Sequence, residues 1–128
     1  MRWCFTIWGR LPGMNDYTTA CRGNQYKGAQ MKRNAQNIAR ACILDQLGRL
    51  MIERQVNLRY TFFEPNKRRD KDNIAGFAHK VIQDALVECK VLKDDGWDEI
   101  AGFEDKFDVD KKYPRIIVVI EEVEIERD

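Results

Sequence analysis

From Arg2 to Trp8 large apolar side chains alternate along the chain, and that period of two predicts a first strand. From about Gln30 to Arg54 the period lengthens. Met31, Ala35, Ile38, Cys42, Ile43, Leu47, Leu50 and Met51 then form one broad apolar face, while Arg33, Arg40, Asp45 and Arg49 stay in water. This pattern predicts a helix, which Gly48 weakens locally without having to end it. Val56, Leu58, Tyr60 and Phe62 alternate with Asn57, Arg59 and Thr61, predicting a half-buried second strand. Pro65 closes it, and Asn66-Lys67-Arg68-Arg69 follows as a basic loop. Asp72 and Asn73 are good caps for a second helix. Its buried side is Ile74, Phe77, Ala78, Val81, Ile82, Ala85 and Leu86, extended by Cys89.

Lys93-Asp94-Asp95-Gly96 reads as a turn and the stretch from Trp97 to Phe103 as a short strand, with Trp97 as a core anchor. Tyr113-Pro114 breaks the next loop. Ile116 to Ile120 is apolar on both faces, so that strand is expected in the middle of a sheet or covered on both sides. Glu121, Glu122 and Glu124 mark its return to solvent. Between the first strand and the first helix, Gly9 to Gly28 is rich in Gly, Asn, Thr and Tyr and contains Pro12. It reads as a loop, long enough to suggest a functional role. The resulting order, β-α-β-α-β-β, predicts an α+β fold: a small mixed sheet packed with two main helices on one or both faces. The 128 residues fit one domain over positions 1–128.

Composition adds a core and removes several classes. At 44% hydrophobic residues the chain can bury a real interior, yet no apolar run approaches the roughly 20 residues of a membrane helix. Met1-Arg2-Trp3-Cys4-Phe5 reads as strand rather than signal peptide, its apolar stretch being short and an Ala-x-Ala type of cleavage site absent. The expected location is the cytoplasm, with no membrane partner. Cys4, Cys21, Cys42 and Cys89 contain no CxxC pair, and His79 is the only histidine, so zinc ligation lacks its usual spacing. Cys42 and Cys89 fall on apolar stripes and read as buried, reduced thiols.

Charge is distributed unevenly. The net value of +1 divides into +9 over residues 1–93 and −8 over residues 94–128. The first part could supply a phosphate-binding surface. The plainer reading is that the acidic part neutralises it within the fold.

Arg68-Arg69-Asp70-Lys71-Asp72-Asn73 places two carboxylates two residues apart inside a basic run, where an extended segment turns into a helix. In extended backbone Asp70 and Asp72 would point the same way, with Lys71 turned aside. Two carboxylates plus phosphate oxygen and water suit Mg²⁺, which takes hard oxygen ligands. Asp95, or Asp94, follows the second helix. A helix of about 20 residues is roughly 30 Å long, so Asp95 meets Asp70 only if the chain folds back or a partner copy supplies it. Lys80, seven residues after Asn73, shares roughly its helical face and could steady a phosphate in reaction. Lys67, Arg68 and Arg69 would hold neighbouring phosphates without reading bases. Taken singly, these features also have ordinary readings. Asp72 would cap the helix, Asp70 would pair with Arg68 or Arg69, Lys80 with Asp84, and His79 would be a surface or capping group.

The whole constellation, Lys67-Arg68-Arg69-Asp70-Lys71-Asp72-Asn73, then Lys80, then Asp84-Ala85-Leu86, then Asp94-Asp95, resembles the RusA-type Holliday junction resolvases. The resemblance spans residues 62–100 and extends weakly to Leu11-Pro12-Gly13-Met14-Asn15. It implies a homodimeric, metal-dependent endodeoxyribonuclease of DNA recombination and repair, common in phage and prophage genomes. Such an enzyme resolves four-way junctions by paired symmetric cleavage with Mg²⁺, or Mn²⁺ in its place. By that likeness the metal site is Asp70, Asp72 and Asp95, Lys80 is the active-site lysine, and DNA contacts fall to Lys67, Arg68, Arg69, Lys71, Asn73 and Asn15. Lys80 stands about one helical turn further from the Asp-Asn pair than in some members. Asn15, Tyr17, Arg22 or Tyr26 would be candidates for touching the junction centre.

Overall fold

A computed structural model describes residues 1–124. Strand β1 (Arg2–Trp8) is followed by helices α1 (Met14–Gly23) and α2 (Gln25–Leu47), strand β2 (Val56–Glu64), helix α3 (Lys71–Glu88) and strands β3 (Ile100–Val109) and β4 (Arg115–Glu122). The fold is α+β with a four-stranded mixed sheet in the order β1-β4-β2-β3. β4 pairs antiparallel with both β1 and β2, and β3 joins β2 in parallel. The doubly apolar stretch at residues 116–120 thus occupies an inner strand, as its pattern implies. Parallel β2 and β3 require a crossover between them, and α3 supplies it.

Alternation puts one face of the sheet under the helices. Phe5 and Ile7 of β1, Val56, Leu58, Tyr60 and Phe62 of β2, and Ile116, Val118 and Ile120 of β4 are buried. They share a core with Ala35, Ala39 and Ile43 of α2 and with Ile74, Phe77, Ala78, Val81, Ile82, Ala85 and Leu86 of α3. The opposite face carries Asn57, Arg59, Thr61 and Phe63 of β2, all at least partly exposed. There Arg115 lies 3.9 Å over the Phe63 ring, and Arg59 pairs with Glu104 and Glu121.

Three local readings are corrected. Residues 9–28 are not one loop. Gly13 starts α1, the Asp16 carboxylate accepts the Gly13 N–H at 2.9 Å, and Asn24 caps α2 by accepting the Tyr26 N–H at 2.8 Å. Helix α1 buries no residue fully and is short; packing holds it, as where the Tyr17 ring lies 4.6 Å from Phe77. Gly48 ends α2 outright, because it adopts φ 62°, and its N–H closes on the Leu44 carbonyl. Trp97 is no core anchor: it is 94% exposed. The four cysteines are free, but only Cys42 and Cys89 are partly buried, and burial pushes both thiols upward; Cys4 and Cys21 are exposed.

The charge asymmetry is partly consumed inside the fold. Arg59 takes Glu104 and Glu121, and the amino terminus takes Glu122. Lys32 pairs with Asp84 at 2.9 Å, a bond that raises the lysine's pKa and takes the partner expected for Lys80. Among the described residues no helix is long and apolar enough to cross a membrane.

Candidate functional site

A cleft of about 700 Å³ opens where parallel strands β2 and β3 end and α3 begins. Glu64 comes from the end of β2, Asn66, Lys67, Arg69 and Asp70 from the loop, Lys71, Asp72 and Ile74 from α3, and Phe107, Asp108 and Val109 from β3. This is a favourable place for an anion, because the first amides of a helix have no intrahelical partner. Asp70 and Asp72 are both here, although the backbone between them is not extended. Asp70 is the N-cap, with φ −68° and ψ 153°, and Asp72 lies in the first helical turn. Neither carboxylate has a hydrogen-bond or ion-pair partner among the described residues, so their oxygens remain available. Lys71 lines the same cleft rather than turning aside, its ammonium 5.6 Å from the centre of the Phe107 ring.

The wall of the cleft is held by Glu64. Its inward position continues the alternation of Val56, Leu58, Tyr60 and Phe62, and it is the buried charged residue of the described core. Arg69 grips it with two bonds of 2.9 Å, Nε to Oε1 and Nη2 to Oε2, while Arg10 Nη2 reaches Oε1 at 3.0 Å. Burial pushes the Glu64 carboxyl up, but the bonds and charges of Arg69 and Arg10 outweigh it and hold the group below its ordinary value. Arg69 Nη1 also donates to the Leu11 carbonyl at 3.1 Å. The guanidinium expected on DNA is therefore committed largely to joining the β1–α1 segment to the loop before α3. Arg68 is exposed outside the cleft lining, whereas Lys67 lines it.

Asn73 and Asn15 are brought together. Asn73 Oδ1 accepts the Asn15 backbone N–H at 2.8 Å, joining the starts of α1 and α3. Lys80 is exposed two turns further along α3, about 10 Å up the axis from Asn73, and does not line the cleft. His79 is not a bare surface group. Its Nε2 lies 2.7 Å from Asp105 Oδ1, with the Tyr60 and Phe103 rings 4.7 Å and 4.6 Å away.

Asp95 is at the other end of the molecule. α3 has 18 residues, about 27 Å of helix, and Asp95 lies beyond its C-terminus. The chain does not fold back toward the cleft before β3. Gln55, just before β2, donates to the Trp97 carbonyl, and the Val56 N–H donates to the Glu99 carbonyl. The turn is thereby tied to the start of the sheet, while the cleft lies at the ends of β2 and β3. Among the described residues no three carboxylate, cysteine or histidine side chains of this one chain are placed to share a metal ion. Asp70 and Asp72 offer the hard oxygens that Mg²⁺ favours, but a third protein carboxylate at positions 94 or 95 would have to come from another copy.

Sequence reasoning missed Glu64, Phe107 and Asp108 as parts of this region. Glu64 had a readable signal, a charge on the inward phase of a strand. Phe107 and Asp108 had none, since only the parallel register, Phe62 beside Phe107 and Phe63 beside Asp108, brings them to the mouth of the loop. Comparison with known protein families and with curated proteins finds no match to this chain.

Proposed function

We propose that this protein is a divalent-metal-dependent endodeoxyribonuclease for branched DNA, acting as a homodimer on four-way junctions in the manner of the RusA-type resolvases. The observation that carries the reading is the pair of unpartnered carboxylates, Asp70 and Asp72, beside Lys67 and Lys71 in a cleft at a helix start. Mg²⁺, or Mn²⁺ in its place, would be held by Asp70 and Asp72. It would supply neutralisation of phosphate charge and activation of water. Lys67 and Lys71 contribute positive charge to hold a strand against the cleft without reading its sequence. The Glu64–Arg69–Arg10 network keeps the loop in place while phosphate repels Asp70 and Asp72. Asp95 completes the carboxylate set from the partner copy, and Lys80 acts only if DNA or the partner bridges its distance from the cleft. A two-fold assembly suits a junction in which two opposed strands are cut.

Incubation of the protein with a labelled four-way junction, with and without Mg²⁺ or Mn²⁺, tests the proposal. Paired symmetric nicks that require the metal are expected, and intact junctions with every divalent ion would refute it. A second reading is a junction-binding protein without catalysis. The separation of Asp95 from the cleft within one chain favours it. Under that reading the junction is bound and never nicked.

A further inference from the structure

Two aromatic side chains stand in water at the end of the sheet where the cleft opens. Trp8, the last residue of β1, is 65% exposed, and Tyr113, just before β4, is 64% exposed. Their backbones run side by side. The Gly9 N–H donates to the Pro114 carbonyl at 2.8 Å, and Trp8 is the register partner of Arg115. Because Ile7, Ile116 and Phe62 point under the helices, their neighbours Trp8, Arg115 and Phe63 form a row across β1, β4 and β2 on the other face. The Arg115 guanidinium lies 3.9 Å over the Phe63 ring, and Asp110 at 2.8 Å and the Tyr113 carbonyl at 2.9 Å fix it there. An indole and a phenyl-backed guanidinium plane therefore stand on neighbouring strands, about 5 Å apart at the backbone. Aromatic rings and guanidinium planes are the surfaces on which unpaired bases stack, whatever their sequence.

The charge around the row fits a strand of nucleic acid. Arg115 is balanced by Asp110, and Arg10 by Glu64. Lys111 and Lys112 are the surplus: both are exposed, and neither has an acidic partner among the described residues. Asp108, beside Phe63 in register, offsets one of the two. An apolar protein surface laid on the rings would leave these ammonium groups unanswered, whereas a strand stacked there brings its own phosphates to them. The row also adjoins the cleft. Phe63 and Glu64 are consecutive in β2 and face opposite sides, Glu64 lining the cleft, and the Asp110 N–H donates to the Glu64 carbonyl at 2.8 Å.

We propose that this end of the sheet binds an unpaired DNA segment, with one base stacked on Trp8, a second on the Arg115–Phe63 pair, and phosphates held by Lys111 and Lys112. Passage of the same strand round residues 110–114 into the Asp70 cleft rests on the reading of that cleft as a nuclease site; the stacking itself does not.

The test uses the full chain without metal. Fluorescence anisotropy follows a labelled oligothymidylate and a labelled blunt duplex on the wild type, Trp8→Ala, Trp8→Phe and the double variant Lys111→Ala/Lys112→Ala, with thermal melts to confirm folding. The oligothymidylate is expected to bind, roughly 10-fold more weakly in Trp8→Ala and nearly as well in Trp8→Phe, while the duplex is affected by neither change. The double lysine variant should lower the slope of log affinity against log salt for the oligothymidylate by about 1.4, the value for two phosphate contacts on a single strand. A wild type that does not bind the oligothymidylate, an unchanged affinity in Trp8→Ala, or an equal loss on the duplex would overturn the inference. If Trp8→Ala does not fold, an unchanged salt slope in the double lysine variant overturns it instead. Junction cleavage with metal separates the two ideas. Cleavage without oligothymidylate binding removes the stacking row and leaves the nuclease, while binding that depends on Trp8 without any cleavage does the reverse.

Discussion

The Asn73 side chain accepts the Asn15 backbone N–H at 2.8 Å, so the starts of α1 and α3 are held as one unit. Gly13 lies directly beneath this bond, and a Cβ there would come 2.5 Å from Asn73 Oδ1. Gly13→Ala is expected to push Asn73 aside and cost about 1–3 kcal/mol. Asn73→Ala should cost about 1 kcal/mol through the lost bond. Urea unfolding checks both values, and combining the two changes should give less than their sum, because the alanine at 73 relieves the crowding.

Asp70→Asn removes one of the cleft's two unpartnered carboxylates without changing its shape. Junction cleavage should fall below detection, while binding in a gel-shift assay stays the same or tightens, since a negative charge near phosphate has gone. Cleavage at the wild-type rate would remove Asp70 from the metal site.

Glu64 links stability to pH. Its carboxyl is held below its ordinary value in the fold, so in the window between the two values the unfolded chain binds more protons. The stabilisation is present in full above the ordinary value of 4.5 and is lost as pH falls through the lowered one. The melting temperature of the wild type should therefore drop on acidification below that value, and Glu64→Gln should flatten this part of the curve. Near neutral pH Glu64→Gln is expected to cost about 3 kcal/mol, the low end for a broken buried pair, because Arg10 is partly exposed.

His79 and Asp105 tie the edge strand β3 to the crossover helix at 2.7 Å. His79→Phe keeps an aromatic ring against Tyr60 and Phe103 but loses the bond, at a cost of about 1 kcal/mol. Hydrogen exchange should accelerate in β3 more than in β1; uniform acceleration would mean that the pair does not anchor that edge.

Strands β1, β2 and β4 and the two longer helices were legible because their periods of two and 3.6, or the doubly apolar run of β4, are strong; β3 was expected at Trp97 to Phe103 but runs from Ile100 to Val109, because an edge strand that buries no residue carries little pattern. Helix α1 was not legible, because its residues bury little and its N-cap is a glycine whose role depends on Asn73, sixty positions away. Gly48 was misjudged for a related reason: helix propensity ranks glycine as weak, while the positive φ that ends α2 is decided by the path to β2. At the cleft, Asp70, Asp72 and Lys67 were legible from a contiguous motif, whereas Lys71, expected to turn aside from the two carboxylates, lines the cleft with them. Arg69 was assigned to phosphate because the alternation of β2 was followed only as far as Phe62, and Glu64, the next inward position, was not weighed as its partner. Trp97 was read by hydrophobicity alone, which places tryptophan inside unless the surrounding acids are weighed as well.

The inner position of β4 has a consequence for how the molecule assembles. Its neighbours β1 and β2 are made early in synthesis and do not pair with each other, so the sheet has a gap along its middle until residues 115–122 emerge. Closing that gap joins segments more than a hundred positions apart, as in Arg2 with Glu121. Folding should be late, slow and all-or-none, and a chain halted before Arg115 should expose two unzipped strand borders.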